Sequence, residues 1–211
     1  MCSPSTLFKL NEKVKQKIKT IDILEGSTTI GEKTFDSMPK LRKINLPKSL
    51  QKMDVGCIFD CPNVKKFKLP HKFMNSIQKL QIVHLEITEC TTNMIKNTDF
   101  AVYVQLESLV LPECVTELPE KIHEICPKLC EITCSTKLIP NLPEPFKCRL
   151  KKVHFPYEEV DKNEILKDIP GIEEIKVKEG TDTVKLKQNL NKTIQSFNLI
   201  NPARLLSVLS L

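Results

Sequence analysis

Apolar residues recur along the chain in a six-residue pattern whose first, fourth and sixth positions are hydrophobic. The fourth and sixth positions lie two residues apart, so both side chains point to one face of an extended strand while the residue between them points to the other. The pattern returns nine times at nearly regular intervals, starting at Ile18, Leu41, Val64, Ile82, Leu106, Leu129, Leu150, Ile172 and Ile194. Such a regular period predicts a stacked-repeat protein with one short strand in each repeat.

The predicted strands are too short to be stable alone, so each must pair with the strand of the next repeat. Every connection returns the chain to the same end, and the strands are therefore expected to be parallel. The pattern predicts an α/β repeat fold of nine strands in one sheet. In this solenoid the parallel β-sheet forms the concave face, and short helical turns or loops form the convex face.

Apolar pairs spaced by three residues precede several of the strand patterns, and this spacing predicts a helical turn that packs against the sheet. The pairs are Phe35 and Met38, Ile58 and Cys61, Phe100 and Tyr103, His123 and Cys126, and Leu166 and Ile169. A second regular feature is a proline that follows the strand pattern at Pro47, Pro70, Pro112 and Pro156. Because proline cannot donate to a ladder, these residues mark where strand pairing ends. We expect Phe35, Cys61, Phe100, Cys126 and Ile169 to be buried beneath the sheet.

The segments TTIGEKTFDSMPKLRKINLPKSL and FDCPNVKKFKLP resemble the BspA-type leucine-rich repeat. The family unit has about 23 residues and runs L-x-x-I-x-L-P, then an Ile-Gly turn, then F-x-x-C-x-x-L. The resemblance is strongest in residues 18–70 and 106–134. It implies a leucine-rich-repeat solenoid with a non-catalytic binding surface, in a family found in bacterial surface proteins and expanded in parasitic protozoa.

This interpretation divides the chain into three parts. Residues 1–17 are expected to form an N-terminal cap, and residues 18–200 the leucine-rich-repeat solenoid of about nine repeats. Residues 201–211 are rich in aliphatic side chains and are predicted to be a C-terminal cap or an unfinished repeat, which leaves end-to-end self-association possible.

Recognition is predicted at the variable positions of the strands, which lie on a fixed scaffold. The candidate partner-binding residues are Lys43, Asn45, Lys66, Lys68, His84, Glu86, Ser108, Glu131, Lys152, His154, Glu174 and Lys176. Stacking would bring Lys43, Lys66 and Lys68 together. This cluster has two interpretations: a solvated surface that discourages aggregation, or a patch that selects an acidic or phosphorylated partner segment or an anionic glycan.

Composition narrows the partner class. The 211 residues carry a net charge of +6, yet only 3 of the 32 basic residues are arginine, and the chain has no tryptophan. Few arginines and few aromatic side chains argue against nucleic-acid binding, which relies on both. No apolar run has the length of a membrane span or a signal peptide, so the sequence predicts a cytoplasmic protein, with the cell surface reached by a non-standard route as the alternative.

The sequence offers no pattern for chemistry. Its four histidines are scattered, its five glycines form no phosphate-binding loop, and the spacing of Cys126, Cys130 and Cys134 fits no common zinc motif. We therefore predict no catalytic residue, no metal site and no cofactor. Cys130 is the candidate modifiable thiol, because other repeats carry charged residues at its position. The predicted function is a non-catalytic protein–protein interaction module, with a surface or secreted BspA-like adhesin as the alternative.

Overall fold

The computed structural model describes residues 11–77, 80–100, 103–157, 167–169 and 171–177. Within these ranges the chain forms short strands joined by turns and, in some repeats, by short helices. The strands are β1 (Thr20–Asp22), β2 (Thr29–Ile30), β3 (Phe35–Asp36), β4 (Lys43–Asn45), β5 (Lys52–Met53), β6 (Ile58–Phe59), β7 (Lys66–Leu69), β8 (His84–Ile87), β9 (Ser108–Val110), β10 (Glu131–Thr133), β11 (Lys152–Phe155) and β12 (Glu174–Val177).

Eight of these strands lie on the first eight copies of the six-residue pattern: β1, β4, β7, β8, β9, β10, β11 and β12. The last six form one parallel sheet in sequence order from β7 to β12. Register is kept throughout, as the pairing of Leu85 with Leu109 and of Leu109 with Ile132 illustrates. The ninth predicted strand, around Ile194, lies outside the described residues.

The apolar positions of the pattern form the core. Leu106, Leu109 and Leu111 are fully buried, as are Leu129, Ile132 and Cys134 of the next repeat. The residues expected beneath the sheet are buried too: Phe35, Cys61, Phe100, Cys126 and Ile169. Those burial predictions are confirmed, because residues two apart in a strand and three apart in a turn share one face.

The prediction of a single sheet is wrong at one junction. Strands β1 and β4 form a separate two-stranded parallel sheet, and β4 contacts β7 without joining it in a ladder. The repeat that begins at Val64 is the shortest, and after β7 it forms a 3-10 helix (His71–Ile77) where the two repeats before it form β2 and β5. Side-chain bonds join the repeats here instead; the buried Ser76 hydroxyl donates to the Met53 carbonyl at 2.5 Å.

The helical turns predicted at Phe35 and Ile58 are also wrong. These residues begin the short parallel strands β3 and β6, while β2 pairs with β5 a few residues earlier. Lys33 and Gly56 occupy equivalent places in adjacent repeats, and both have positive φ angles, 53° and 76°. The left-handed turn directs each following segment into an extended path, and repeats of equal length hold the two segments in register.

Helical turns are found in other repeats. They are α1 (Glu12–Lys15), α2 (Asn97–Phe100), α3 (Ile122–Ile125) and α4 (Glu144–Lys147), together with 3-10 helices at His71–Ile77 and Thr136–Asn141. Helix α1 lies inside the segment predicted as the N-terminal cap, and residues 201–211 lie outside the described residues. Capping of either end stays a prediction. No helix in the described ranges has the length and apolarity needed to cross a membrane.

Candidate binding surface

The parallel register aligns the variable strand residues in two columns. In ladder register the first column contains Lys66, His84, Ser108, Glu131, Lys152 and Glu174 of β7 to β12, and Thr20 and Lys43 take the equivalent position in the separate sheet of β1 and β4. The second column contains Lys68, Glu86, Val110, Thr133, His154 and Lys176, with Asp22 and Asn45 of the β1–β4 pair at the equivalent position. We call the surface made by the two columns the strand face. All twelve residues predicted from the sequence lie on it.

Sequence reasoning omitted four residues of the strand face. Thr20 and Asp22 are the register partners of Lys43 and Asn45, and Val110 and Thr133 stand in the second column between Glu86 and His154. Their offset within the six-residue pattern was sufficient to find them. Ser108 was predicted to contact a partner, but its side chain is largely buried, and the residue is only 7% exposed. A short side chain between His84 and Glu131 lies below the level of its neighbours and offers little contact area.

Salt bridges neutralise most of the charge at the far end of the strand face. Glu174 accepts from Lys176 at 3.0 Å and from Lys152 at 3.3 Å. Hydrogen bonds from these two lysines, Lys176 first, hold the pKa of Glu174 below its ordinary value, and the Glu174 carboxylate raises the pKa of Lys176. On β7 and β8, the register partners Lys68 and Glu86 form a further salt bridge.

The opposite end of the strand face is basic. Lys43 and Lys66 are exposed, and neither forms a salt bridge with any residue in the described ranges. Arg42 and Lys65 directly precede them, and Lys19 occupies the equivalent position before β1. We call Lys43 and Lys66 with Arg42 and Lys65 the basic end. In the predicted cluster, Lys68 forms a salt bridge, whereas Lys43 and Lys66 form none within the described ranges.

A groove of about 550 Å³ lies beside the basic end, where β4, β7 and β8 end. We call the apolar part of its lining the floor, and this part includes three of the strand-closing prolines: Pro47, Pro70 and Pro112. The rim carries basic side chains, Lys48 and Lys72, and acidic ones, Glu89 and Glu113. The groove thus offers apolar contact together with a charged rim of both signs.

Tyr157 closes one side of this groove and was not found from the sequence. Its hydroxyl donates to the Leu111 carbonyl at 2.8 Å, across 46 residues of chain. Burial raises the pKa of the Tyr157 hydroxyl, so it stays protonated and able to donate at neutral pH. A contact between repeats so far apart leaves no signal in local sequence spacing.

The cysteines divide into buried and accessible groups. Cys126 and Cys134 are buried, and Cys130 is partly exposed, as the repeat pattern predicts. Burial raises the pKa of Cys126 and Cys57 to about 12 and that of Cys61 to about 11. Burial also raises the pKa of Cys130, which lowers its thiolate fraction. Within the described residues, no group of three or more His, Cys, Asp or Glu side chains has a metal-binding arrangement.

Comparison with known proteins agrees with the repeat architecture. The family description BspA type Leucine rich repeat region matches residues 12–80 and 74–164, in six copies. A search of curated protein sequences found no match to the chain.

Among solved structures, the chain is similar to a leucine rich cell surface protein from Faecalibacterium prausnitzii, with 13% sequence identity and a TM-score of 0.29. The match covers 82% of this chain and 63% of that protein's length. The family match extends over most of the chain, and the matched ranges contain the strands β1 to β11. The chain belongs to the BspA-type leucine-rich repeat family.

Proposed function

We propose that the chain is a non-catalytic protein-interaction module, a leucine-rich-repeat solenoid that binds its partner across the strand face. One observation carries the proposal. From repeat to repeat the strand face varies in charge and size, from Lys66 to His84 to Glu131, whereas the positions beneath remain apolar. Fixed repeats that present variable side chains in register are the usual basis of recognition by repeat proteins.

The partner contributes an acidic or phosphorylated segment to the basic end. Lys68, Lys152 and Lys176 already share glutamates of the strand face, so their charges are largely satisfied within the chain. Lys43 and Lys66 have no such partner among the described residues, and neighbouring cations reinforce their field. Complementary charge supplies orientation and a faster encounter rate more than raw affinity.

The groove supplies the apolar part of the same contact. A partner segment that places carboxylates or phosphates on Lys43 and Lys66 reaches the groove floor at Pro47 and Pro70 when it continues toward the ends of the strands. Burial of apolar side chains on that floor would provide most of the binding free energy. Binding should then weaken, but not disappear, as salt screens the exposed charges.

Affinity capture of the tagged chain from cells, followed by mass spectrometry, tests the proposal. The informative variant is Lys43→Glu combined with Lys66→Glu, which should strongly reduce capture of the main partner, because it replaces attraction by repulsion, without unfolding the chain. Lys121→Glu combined with Lys137→Glu is the matched control, since it makes the same charge change at exposed residues away from the strand face. Capture that is equal in both variants would return the basic end to the solvated-surface interpretation.

Location and self-association are separate proposals. The predicted cytoplasmic location has no support from the structure, and the alternative is an adhesin of the same fold at the cell surface. Labelling of intact cells with a membrane-impermeant reagent distinguishes the two. End-to-end association through residues 201–211 also stays a prediction, which light scattering over a range of concentrations would test.

A further inference from the structure

Cys90 and Cys114 occupy the same place in two adjacent repeats, just beyond strands β8 and β9. Parallel pairing brackets them on both sides, because Glu86 pairs with Val110 before them and Met94 pairs with Glu117 after them. Backbone bonds from Thr116 and Glu117 to the Asn93 carbonyl continue that alignment. The two cysteines are therefore lateral neighbours, although they belong to different repeats.

The Cys114 thiol lies against the backbone of Cys90. The Cys114 Sγ lies 3.4 Å from the Cys90 carbonyl oxygen, and the Cys90 Sγ lies 3.5 Å from the Thr92 hydroxyl. Strands paired in a ladder are separated by about 4.8 Å, and a disulfide spans a Cα–Cα distance of about 4.4–6.8 Å. The ladder pairs that flank the two cysteines therefore favour a bond between them once the Cys90 side chain rotates away from Thr92.

Accessibility separates this pair from four of the other cysteines. Cys114 is exposed and Cys90 is partly exposed, whereas Cys57, Cys61, Cys126 and Cys134 are buried. An oxidant must reach the sulfur and must meet a thiolate, and burial opposes both conditions. Cys130 is partly exposed and Cys148 is exposed as well, but Cys130 lies beside Glu107, which directly precedes β9, and Cys148 lies after α4, so neither follows a strand end as the pair does.

We propose that Cys90 and Cys114 form a dithiol modification site that closes to an intramolecular disulfide when a peroxide oxidises either thiol. One thiolate attacks the peroxide O–O bond, which gives a sulfenic acid and releases hydroxide. The second thiolate then attacks the sulfenic sulfur, forms the S–S bond and displaces a second hydroxide. The hydroxides take up the two thiol protons, so two thiols and one hydrogen peroxide yield one disulfide and two waters.

The disulfide would link two adjacent repeats covalently at the rim of the groove. Glu89 and Glu113, which line the groove, directly precede the two cysteines. Closure of the disulfide would fix the spacing of these carboxylates. The site itself does not depend on the proposed binding function, because the thiols can be assayed in the isolated full-length chain.

Tryptic mapping of the dilute full-length protein treated with hydrogen peroxide tests the site. Cleavage after Lys79, Lys96 and Lys121 places Cys90 in peptide 80–96 and Cys114 in peptide 97–121, and each peptide contains a single cysteine. The expected product is a linked pair of these peptides with the loss of two hydrogen atoms, reversed by dithiothreitol. Cys148→Ser should leave its yield unchanged, and Cys114→Ser should abolish it.

A trivalent arsenical that bridges two neighbouring thiols gives a second readout without oxidation. It should join the same two peptides in the folded protein and should fail to do so in Cys90→Ser. The proposal is overturned if peptides 80–96 and 97–121 stay unlinked while Cys148 is oxidised. It is equally overturned if Cys90 links mainly to another cysteine, or if the link forms only after unfolding in urea.

Discussion

Tyr103→Phe isolates one buried hydrogen bond between repeats. The Tyr103 side chain is fully buried, and its hydroxyl donates to the Met74 carbonyl at 2.7 Å, across 29 residues. Burial raises the pKa of this hydroxyl, so it remains a donor at any pH at which the protein is studied. The phenylalanine ring keeps the edge-to-face contact with Phe100, whose ring centroid lies 6.4 Å away. The substitution therefore removes the hydroxyl and little else.

The expected loss of stability follows from the Met74 carbonyl, which the substitution leaves without a hydrogen-bond donor. Met74 is only 1% exposed, so its carbonyl would lose its partner where water cannot easily replace it. A buried polar group without a partner costs about 1–3 kcal/mol. We expect Tyr103→Phe to lower the free energy of unfolding in urea by that amount, with an unchanged denaturant slope.

Tyr157→Phe is the matched control. It removes the hydrogen bond to the carbonyl of the buried Leu111, but the Tyr157 ring itself is half-buried and lines the open groove, so water can take the place of its hydroxyl. Its expected cost is about 1 kcal/mol or less. Unfolding of Tyr103→Phe at the urea concentration of the wild type, or a larger loss of stability in the control, would refute the assigned hydrogen bond.

Three further predictions concern the core, one turn and one salt-bridge pair. Leu109→Ala, at a fully buried position in the middle of the six-stranded sheet, should lower the free energy of unfolding in urea by about 2–5 kcal/mol. Lys66→Ala, on the outward face, should lower it by about 0.5 kcal/mol or less. Equal losses of stability would contradict the assigned inward and outward faces. Gly56→Ala, at a φ of 76°, should destabilise the chain by about 1 kcal/mol, while Gly31→Ala, which has no positive φ, should cost less in the same assay. Lys176→Met should raise the pKa of the Glu174 carboxyl toward its ordinary value, as measured by a pH titration followed by NMR. The substitution removes the stronger of the two lysine hydrogen bonds that lower this pKa. An unchanged pKa would exclude the salt bridge in solution.

The repeated strands could be predicted from the sequence because alternation is a local property. Residues such as Leu109 and Leu111 share a face by geometry alone, and a regular interval then places each strand beside the next. The same logic aligned all twelve candidate residues on the strand face. It could equally have found Val110 and Thr133, which the candidate residues did not include.

The remaining features depend on contacts between repeats or on backbone angles, which side-chain alternation does not encode. The left-handed residues Lys33 and Gly56 convert two predicted helical turns into strands. The sheet is interrupted between β4 and β7, and the salt bridge between Lys68 and Glu86 removes one member of the predicted lysine cluster. Tyr157 reaches a carbonyl two repeats away. Each of these depends on which residues become neighbours after folding.

Zero-length cross-linking with a carbodiimide would identify the binding surface and the charge of its partner together. This reagent joins a lysine amine to a carboxylate only when the two are in contact, so it reports both the surface that binds and the acidity of the partner. With the captured partner, we predict cross-links from its aspartates or glutamates to Lys43 and Lys66 on the strand face. Cross-links that fall instead on Lys33, Lys121 or Lys137, with none at Lys43 or Lys66, would contradict binding through the strand face.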